Sequence, residues 1–370
     1  MAPKRILFFI FDLGHGGAEK VLVQLVRALD PEKYDITVQT IFNVGVNKDS
    51  LPDYVHRKWM FSRQFHGMKY LIRLFSPTFL HKLLIKDRYD YEIAYLEGVP
   101  TRIVGGCKDK NTKIFAWVHI QMEDIDEFFC TFNSLREAER CYRSFDKIAF
   151  VSEFAQESFL KKTGWKGLNT AIVHNTLDLD SIKLQSLDPI DISLSKDILN
   201  LCSVGRLTNQ KGYVRLMHIL GEIVRKGFLN WHFYLLGDGD QKYEIENVVV
   251  QEGLSSFVSI LGYDPNPYKY VSKMDWFVCS SYKEGYSTAV TESVLVGTPV
   301  VTTDCAGMRE ILGEEAGIIV DNTDKALKEV VEKILRDKTL LTQYKSGAIN
   351  RSRLFSCEKT LKEFEDFILV

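Results

Sequence analysis

The sequence predicts an α/β protein built from two doubly wound domains in tandem, and three observations carry that expectation. Short apolar runs rich in β-branched and aromatic residues recur along the chain, continuously apolar rather than alternating, as strands of a parallel sheet covered on both faces must be. Amphipathic helical patterns separate most of them, which is the rhythm of βαβ units. That rhythm breaks once, at a polar stretch over 178–197 containing Pro189 and several Ser and Asp residues, and then resumes. Such a break marks the passage from one domain to the next.

Taken in order, the first half offers strands at 5–11, 36–41, 92–96, 113–118, 147–151 and 170–174, with its clearest helices at 18–29, 135–145 and 153–163. The second half offers strands at 199–204, 231–236, 258–261, 276–279, 300–303 and 318–320. At 370 residues the chain exceeds one ordinary core and fits two. The expected domains are therefore 1–177 and 178–353, followed by a terminal helix in 354–370. The first apolar run is too short for a signal peptide or membrane span and reads as a buried strand.

Composition narrows the class. Hydrophobic residues at 45% and charged residues at 26% are ordinary for a globular chain, with no low-complexity tract. The net charge of −2 divides into +4 over 1–175 and −6 over the remainder, so the first half is the one expected to meet an anionic surface. Seven cysteines without a C-x-x-C pair, several within apolar runs, read as reduced core residues of a cytosolic protein.

In open α/β sheets, ligands sit beyond the C-terminal ends of the strands, so the loops there are the candidates, and a cleft between two such sheets is the expected site. The richest loop is Tyr282-Lys283-Glu284-Gly285-Tyr286-Ser287-Thr288, which opens a helix carrying Glu292. An exposed helix start with free N–H groups, beside two carboxylates that accept hydrogen bonds from hydroxyls, suits a sugar joined to a phosphate. Two glutamates at this spacing also arise on a solvated helix face. Gly14-His15-Gly16-Gly17 after the first strand has the form of an anion cradle or of a plain tight turn. NAD binding is disfavoured, because Glu19 replaces the third glycine of the dinucleotide fingerprint and the second strand ends without a ribose-binding acid. His119 ends the strand at 113–118, where it can serve a substrate hydroxyl or sit satisfied in the core. Arg206 and Lys211 flank the loop after the strand at 199–204, positioned for a diphosphate or for solvent. Gly237 with Asp238, and Gly262 with Tyr263, are candidate edges for a base or ribose, although turn chemistry also explains them. The Asp-x-Asp pairs at 124/126, 178/180 and 238/240 arise by chance in so acidic a chain, and no His/Cys cluster has zinc spacing, so no metal site is assigned.

Residues 54–86 contain many Lys and Arg, no Asp or Glu, and interleaved large apolar side chains. The stretch reads either as helix lying in an anionic membrane interface or as a core-packed helical pair with a basic outer face. Nucleic acid is disfavoured, since nothing continues the basic stripe.

Together these loops closely resemble the family 4 glycosyltransferases of the GT-B fold. The resemblance runs through Gly16-Gly17-Ala18-Glu19-Lys20, Val118-His119, Val151-Ser152-Glu153-Phe154, His174-Asn175-Thr176-Leu177-Asp178, Gly205-Arg206-Leu207 with Lys211-Gly212, Gly237-Asp238-Gly239, Glu284-Gly285-Tyr286-Ser287 with Glu292, Gly297-Thr298-Pro299-Val300-Val301, and Gly307 with Glu310. It departs at Tyr286-Ser287, where many relatives have Phe-Gly, and at Thr176, where Gly is usual.

The resemblance implies two Rossmann-like domains facing across a cleft, with the last helix crossing back onto the first domain. It also implies retaining transfer from a nucleotide-sugar, by same-face attack in which the leaving phosphate takes the acceptor's proton, without an obligatory metal or other cofactor. It gives donor-binding roles to Gly16, Gly17, Gly205, Gly237, Tyr263, Gly285, Tyr286, Ser287 and Thr288. Arg206 and Lys211 take the diphosphate, Glu292 the ribose, Glu284 the transferred sugar, and His119 stands beside the reaction centre. The expected function is transfer of a hexose or N-acetylhexosamine from a UDP-sugar to a glycan or lipid-linked acceptor at the cytoplasmic face of the membrane, in surface polysaccharide synthesis. A UDP-sugar 2-epimerase and a non-catalytic nucleotide-sugar-binding protein are the alternatives.

Overall fold

The computed structural model describes residues 2–14, 16–65 and 67–369. His15, in the first glycine loop, lies outside them, as does the side chain of Lys69. The chain divides into two compact units, one formed by residues through Leu177 together with those from Cys357 on, the other by Asp178–Ser356.

The first unit is a 7-stranded sheet of β1 (Lys4–Ile10), β2 (Tyr34–Phe42), β3 (His56–Phe61), β4 (Tyr91–Ala94), β5 (Lys113–Val118), β6 (Lys147–Phe150) and β7 (Thr170–Ile172), in the order β3-β2-β1-β4-β5-β6-β7. Every pairing is parallel. Continuous apolar strands are needed because both faces are covered. Leu7, Phe9, Ile114 and Ala116 enter a core shared with the helices of one face. Their sequence neighbours Phe8, Phe115 and Trp117 point to the other face, where the helix Cys357–Ile368 covers them. Phe364 stacks at 5.9 Å on Phe8 and 6.0 Å on Trp117, and Phe367 lies 5.0 Å from Phe115. Glu363 fixes the helix by accepting from the His174 backbone N–H at 3.1 Å, with the imidazole Nδ1 at 2.9 Å.

The stretch 54–86 is not the helical pair that its sequence suggested. It opens with β3, an edge strand paired to β2 alone, continues through single turns at Met68–Leu71 and Ile72–Leu74, and only then forms a helix, Pro77–Leu84, capped by Ser76. An edge strand tolerates charge because it has one hydrogen-bonded neighbour and an open side. The polar run His-Arg-Lys at its start therefore hid a strand whose apolar signal is weak.

The second unit is a 6-stranded sheet of β8 (Leu199–Val204), β9 (Trp231–Leu236), β10 (Val258–Gly262), β11 (Trp276–Cys279), β12 (Val300–Thr303) and β13 (Gly317–Val320), in the order β10-β9-β8-β11-β12-β13, again parallel throughout. The expectation of two doubly wound α/β domains is borne out. Part of the polar stretch that signalled the boundary is helical, at Leu179–Gln185, where Asp178 caps the N-terminus by accepting from Ser181 N–H. Five cysteines are buried as expected, but Cys130 is exposed and Cys357 half-buried. No helix among the described residues is long and apolar enough to cross a membrane.

Strand order reverses between β1 and β4 in the first sheet and between β8 and β11 in the second. At each reversal the loops leaving the two central strands diverge to opposite faces and open a crevice at the C-terminal edge.

Candidate functional site

In the second domain the crevice is flanked by the loop after β8, which carries Gly205, Arg206 and Lys211, and the loop after β11, which carries Ser280 to Glu284. Lys211 ends a single 3-10 turn, Asn209–Lys211, and its Nζ lies 2.7 Å from Glu284 Oε1. The same carboxylate oxygen accepts from Ser281 Oγ at 2.6 Å, and Glu284 is buried. Burial alone would lower the Lys211 pKa, but the charge and hydrogen bond of Glu284 hold it above the ordinary lysine value. Lys211, Tyr213, Cys279, Ser281 and Ser287 also line a small cavity beside the pair.

Two glycines make this approach possible. Gly212 has φ +65 and abuts the Ser280 carbonyl where a Cβ would stand; Gly237, at φ +140, meets the Gly205 carbonyl in the same way. The loops after β8 and β9 are consequently interlocked, with Leu207 N–H donating to Asp238 O at 3.0 Å and Gln241 N–H to Leu207 O at 2.9 Å.

Several residues that hold the Glu284 loop were not read from the sequence. Arg215, on the helix Tyr213–Arg225, is buried and donates through Nε (2.9 Å) and Nη2 (2.6 Å) to Ser280 O. Its Nη2 also reaches Ser281 O and Asn322 Oδ1, each at 2.9 Å, and its guanidinium lies 3.8 Å from the Tyr282 ring centroid. Gln210 accepts from Tyr282 N–H at 2.8 Å and donates to Lys283 O at 3.0 Å. In sequence Arg215 looks like any cation on an amphipathic helix; only the fold turns it inward.

The start of the helix Thr288–Leu295 is more covered than the sequence implied. Ser287 is buried and serves as N-cap, accepting from Val290 N–H, and Gly307 packs against Gly285 and Tyr286. The cap and this packing use surface that the sequence reading left open for a ligand. Thr288 begins the helix, and Glu292, one turn further along and buried, accepts from Tyr268 OH at 3.2 Å. Burial and the neighbouring Glu292 raise the Tyr268 pKa well above the usual phenol, so it remains a donor. Arg206 is exposed, and its guanidinium has no partner among the described residues. Tyr263 is exposed just past β10.

The remaining candidates belong to the first domain. Gly16 caps the helix Gly17–Ala28 beneath the Glu19 side chain, and Gly17 is exposed. His119 directly follows β5 and is buried with its ring 5.7 Å from Trp117 and 4.8 Å from Tyr95. Its Nε2 has no hydrogen-bond partner among the described residues. Burial pushes its pKa down to about 3, leaving a neutral imidazole. Its backbone N–H donates to Glu97 Oε2 at 3.1 Å, and burial raises the Glu97 pKa despite that bond. Glu97 was also missed, although its place just beyond β4 is the signal that found His119.

Two Rossmann-like domains, each on a parallel sheet, give the chain the GT-B class of architecture. Residues 191–351 match the family described as glycosyl transferases group 1. The chain is 26% identical over 383 residues to an N-acetylgalactosamine-N,N'-diacetylbacillosaminyl-diphospho-undecaprenol 4-alpha-N-acetylgalactosaminyltransferase of Campylobacter jejuni, covering 99% of this chain and 100% of that protein. It is 28% identical over 231 residues to an uncharacterized glycosyltransferase of Methanocaldococcus jannaschii, covering 53% of this chain and 56% of that protein. Anabaena HepE, solved with UDP and glucose, superposes with a TM-score of 0.71 at 16% identity, covering 98% of each chain. The chain is a glycosyltransferase of GT-B architecture.

Two outcomes follow from this geometry. Arg215→Ala leaves the Ser280 carbonyl without its side-chain donor and removes one of those on Ser281 O, which keeps Thr303 Oγ1, so stability should fall by about 1–3 kcal/mol and trypsin should cut after Lys283 faster than in the parent. Arg215→Lys keeps the charge without the fork and should restore only part of both. For His119, the folded-state pKa of about 3 lies below the ordinary value of 6.5. The unfolded chain therefore takes up a proton at this position first as pH falls. This contribution to stability is complete above 6.5 and is lost progressively toward 3. Urea denaturation from about pH 7 to about pH 4 should show that loss, and His119→Gln should flatten it.

Proposed function

We propose that the chain is a family 4 type, retaining transferase that moves a hexose or N-acetylhexosamine from a nucleotide-sugar, specifically a UDP-sugar, to a glycan or lipid-linked acceptor at the cytoplasmic membrane face in surface polysaccharide synthesis. The observation that carries this reading is the pair of half-buried Lys211 with buried Glu284 at the β8/β11 reversal, with exposed Arg206 on the same loop as Lys211. Two cations beside a carboxylate suit a sugar diphosphate, whose charge grows on the leaving oxygen as the glycosidic bond breaks. The Campylobacter relative's name specifies a diphospho-undecaprenol acceptor, and HepE was solved with UDP, which supports the donor and acceptor classes.

In this reading Arg206 and Lys211 bind the diphosphate and stabilise its departure. Glu284, already oriented by Lys211 and Ser281, receives a hydroxyl of the transferred sugar, aided by the backbone of Gly285, Tyr286, Ser287 and Thr288. Glu292, oriented by Tyr268, takes the ribose, while Gly205, Gly237 and Tyr263 border the nucleotide. Within the first domain, Gly16 and Gly17 form a loop at a strand's C-terminal end, and the neutral His119 suits a sugar hydroxyl because it donates or accepts without adding charge. The acceptor hydroxyl attacks the anomeric carbon on the face the phosphate leaves, and its proton passes to the departing phosphate oxygen. Glu284 and Glu292 act as positioning groups, unlike the acid pair of glycosidases. No metal or other cofactor is assigned to this step.

A membrane contact through 54–86 completes the reading. Leu74 and Tyr70 are 76% and 62% exposed, with Trp59, Phe79 and Leu83 also exposed beside Arg63, Lys82 and Lys86. Apolar side chains interleaved with cations match an anionic bilayer interface.

Titration with UDP, GDP and their sugars should raise the melting temperature in one nucleotide series, and turnover of that donor should require a lipid-linked saccharide. Donor turnover without acceptor would favour the isomerase class, and no shift with any nucleotide would overturn the reading. Glu284→Ala should cut kcat by about 10²-fold or more, and Arg206→Ala should also weaken donor binding; unchanged rates in both would remove them from the site. The triple variant Arg63→Glu, Lys82→Glu, Lys86→Glu should lose co-sedimentation with anionic vesicles, and equal binding would remove the membrane contact.

A further inference from the structure

Apart from the residues assigned roles above, the first domain holds a second cluster of reactive side chains, His81, Glu92 and Cys107. Glu92 stands on β4, near the middle of the seven-stranded sheet, and is 2% exposed. A carboxylate in that position requires a positive partner. His81, on the helix Pro77–Leu84, brings its Nε2 to 2.7 Å from Glu92 Oε2. Cys107, buried just beyond the helix Val99–Val104, turns its thiol toward the same imidazole and carboxylate. The nitrogen, oxygen and sulfur donors all lie within 4.8 Å of one another. An ion pair accounts for Glu92 and His81 alone; it gives no reason for a thiol to converge on them.

We propose that His81, Glu92 and Cys107 form a binding site for a divalent cation of the zinc type. Imidazole, carboxylate and thiolate together select a borderline or soft metal over magnesium or calcium, which prefer oxygen. One carboxylate and one thiolate neutralise a 2+ ion, which satisfies the burial of Glu92 as fully as a protonated histidine does. Metal–ligand bonds of about 2.0–2.3 Å in a tetrahedral arrangement place neighbouring donor atoms about 3.3–3.7 Å apart. With His81 Nε2 and Glu92 Oε2 2.7 Å apart and all three donors within 4.8 Å of one another, small side-chain shifts bring the cluster to that spacing. The proton between His81 and Glu92 and the thiol proton of Cys107 leave to solvent as the metal enters. Three protein ligands leave a fourth position for water on the side where His81 is partly open.

The ligands come from a helix, the central sheet and a loop, so the metal fastens Pro77–Leu84 to the domain's core. That helix carries exposed Phe79, Lys82 and Leu83. The cluster shares no residue with the donor-binding set, and its test does not depend on the transfer reaction.

The full-length protein, stripped with chelator and dialysed, is titrated with Co2+ and then Zn2+. One equivalent of Co2+ should produce a thiolate-to-cobalt charge-transfer band that Zn2+ abolishes. Cys107→Ser should lose the band and weaken zinc binding by roughly tenfold or more, as loss of one ligand predicts, while Cys130→Ser should keep both. Zn2+ should raise the parent's melting temperature and leave that of Cys107→Ser unchanged. Absence of the band in the parent, its persistence in Cys107→Ser, or its loss in Cys130→Ser would each overturn the proposal. The parent spectrum is decisive even if Cys107→Ser fails to fold.

Discussion

Parallel pairing in both sheets is the constraint on which the rest of this molecule depends. A parallel strand cannot be followed directly by its neighbour, so every connection crosses a face and buries the strand beneath it. Interior positions are thereby denied to unpartnered polar groups, and polar chemistry collects at the C-terminal strand ends. The central reversal of strand order then selects, from all those loops, the two on either side of the crevice. Lys211 and Glu284 meet because β8 and β11 are adjacent in the sheet, although 73 residues separate them in sequence.

Burying such a pair is a poor way to gain stability, because desolvation of two charges offsets most of their attraction. It is a good way to hold a geometry. Glu284 cannot swing away without leaving Lys211 uncompensated, and Ser281 fixes the same oxygen from below. Arg215 does similar work for the backbone: its fork occupies the Ser280 and Ser281 carbonyls while its plane stacks on Tyr282, so the loop is held from its main chain as well as its side chains. His119 shows the opposite solution, in which burial without a charged partner keeps a titratable group neutral.

Legibility in the sequence followed the range of the interactions. The buried central strands were readable because burial on two faces writes a continuous apolar run, as in Trp276–Cys279, and β1 is nearly as plain. β3 was not, because an edge strand needs only one covered side and its cations masked it. Among the candidate residues, those in loops at strand ends, such as Lys211, Glu284 and His119, were singled out by position. Their supports, Arg215, Tyr268 and Asn322, were not, since each lies on a different element and carries no local mark.

Local chemistry was enough to determine most of the strand and helix series and the loops where polar groups gather, because propensity, turn residues and apolar periodicity act over a few residues. Tertiary structure decided which of those groups meet. The Lys211–Glu284 pair, the inward turn of Arg215, the capped and half-covered start of the Thr288 helix and the convergence of His81, Glu92 and Cys107 all depend on strand order and on the faces that helices bury. Those contacts span long sequence separations, and a one-dimensional pattern does not encode which distant elements a sheet brings side by side.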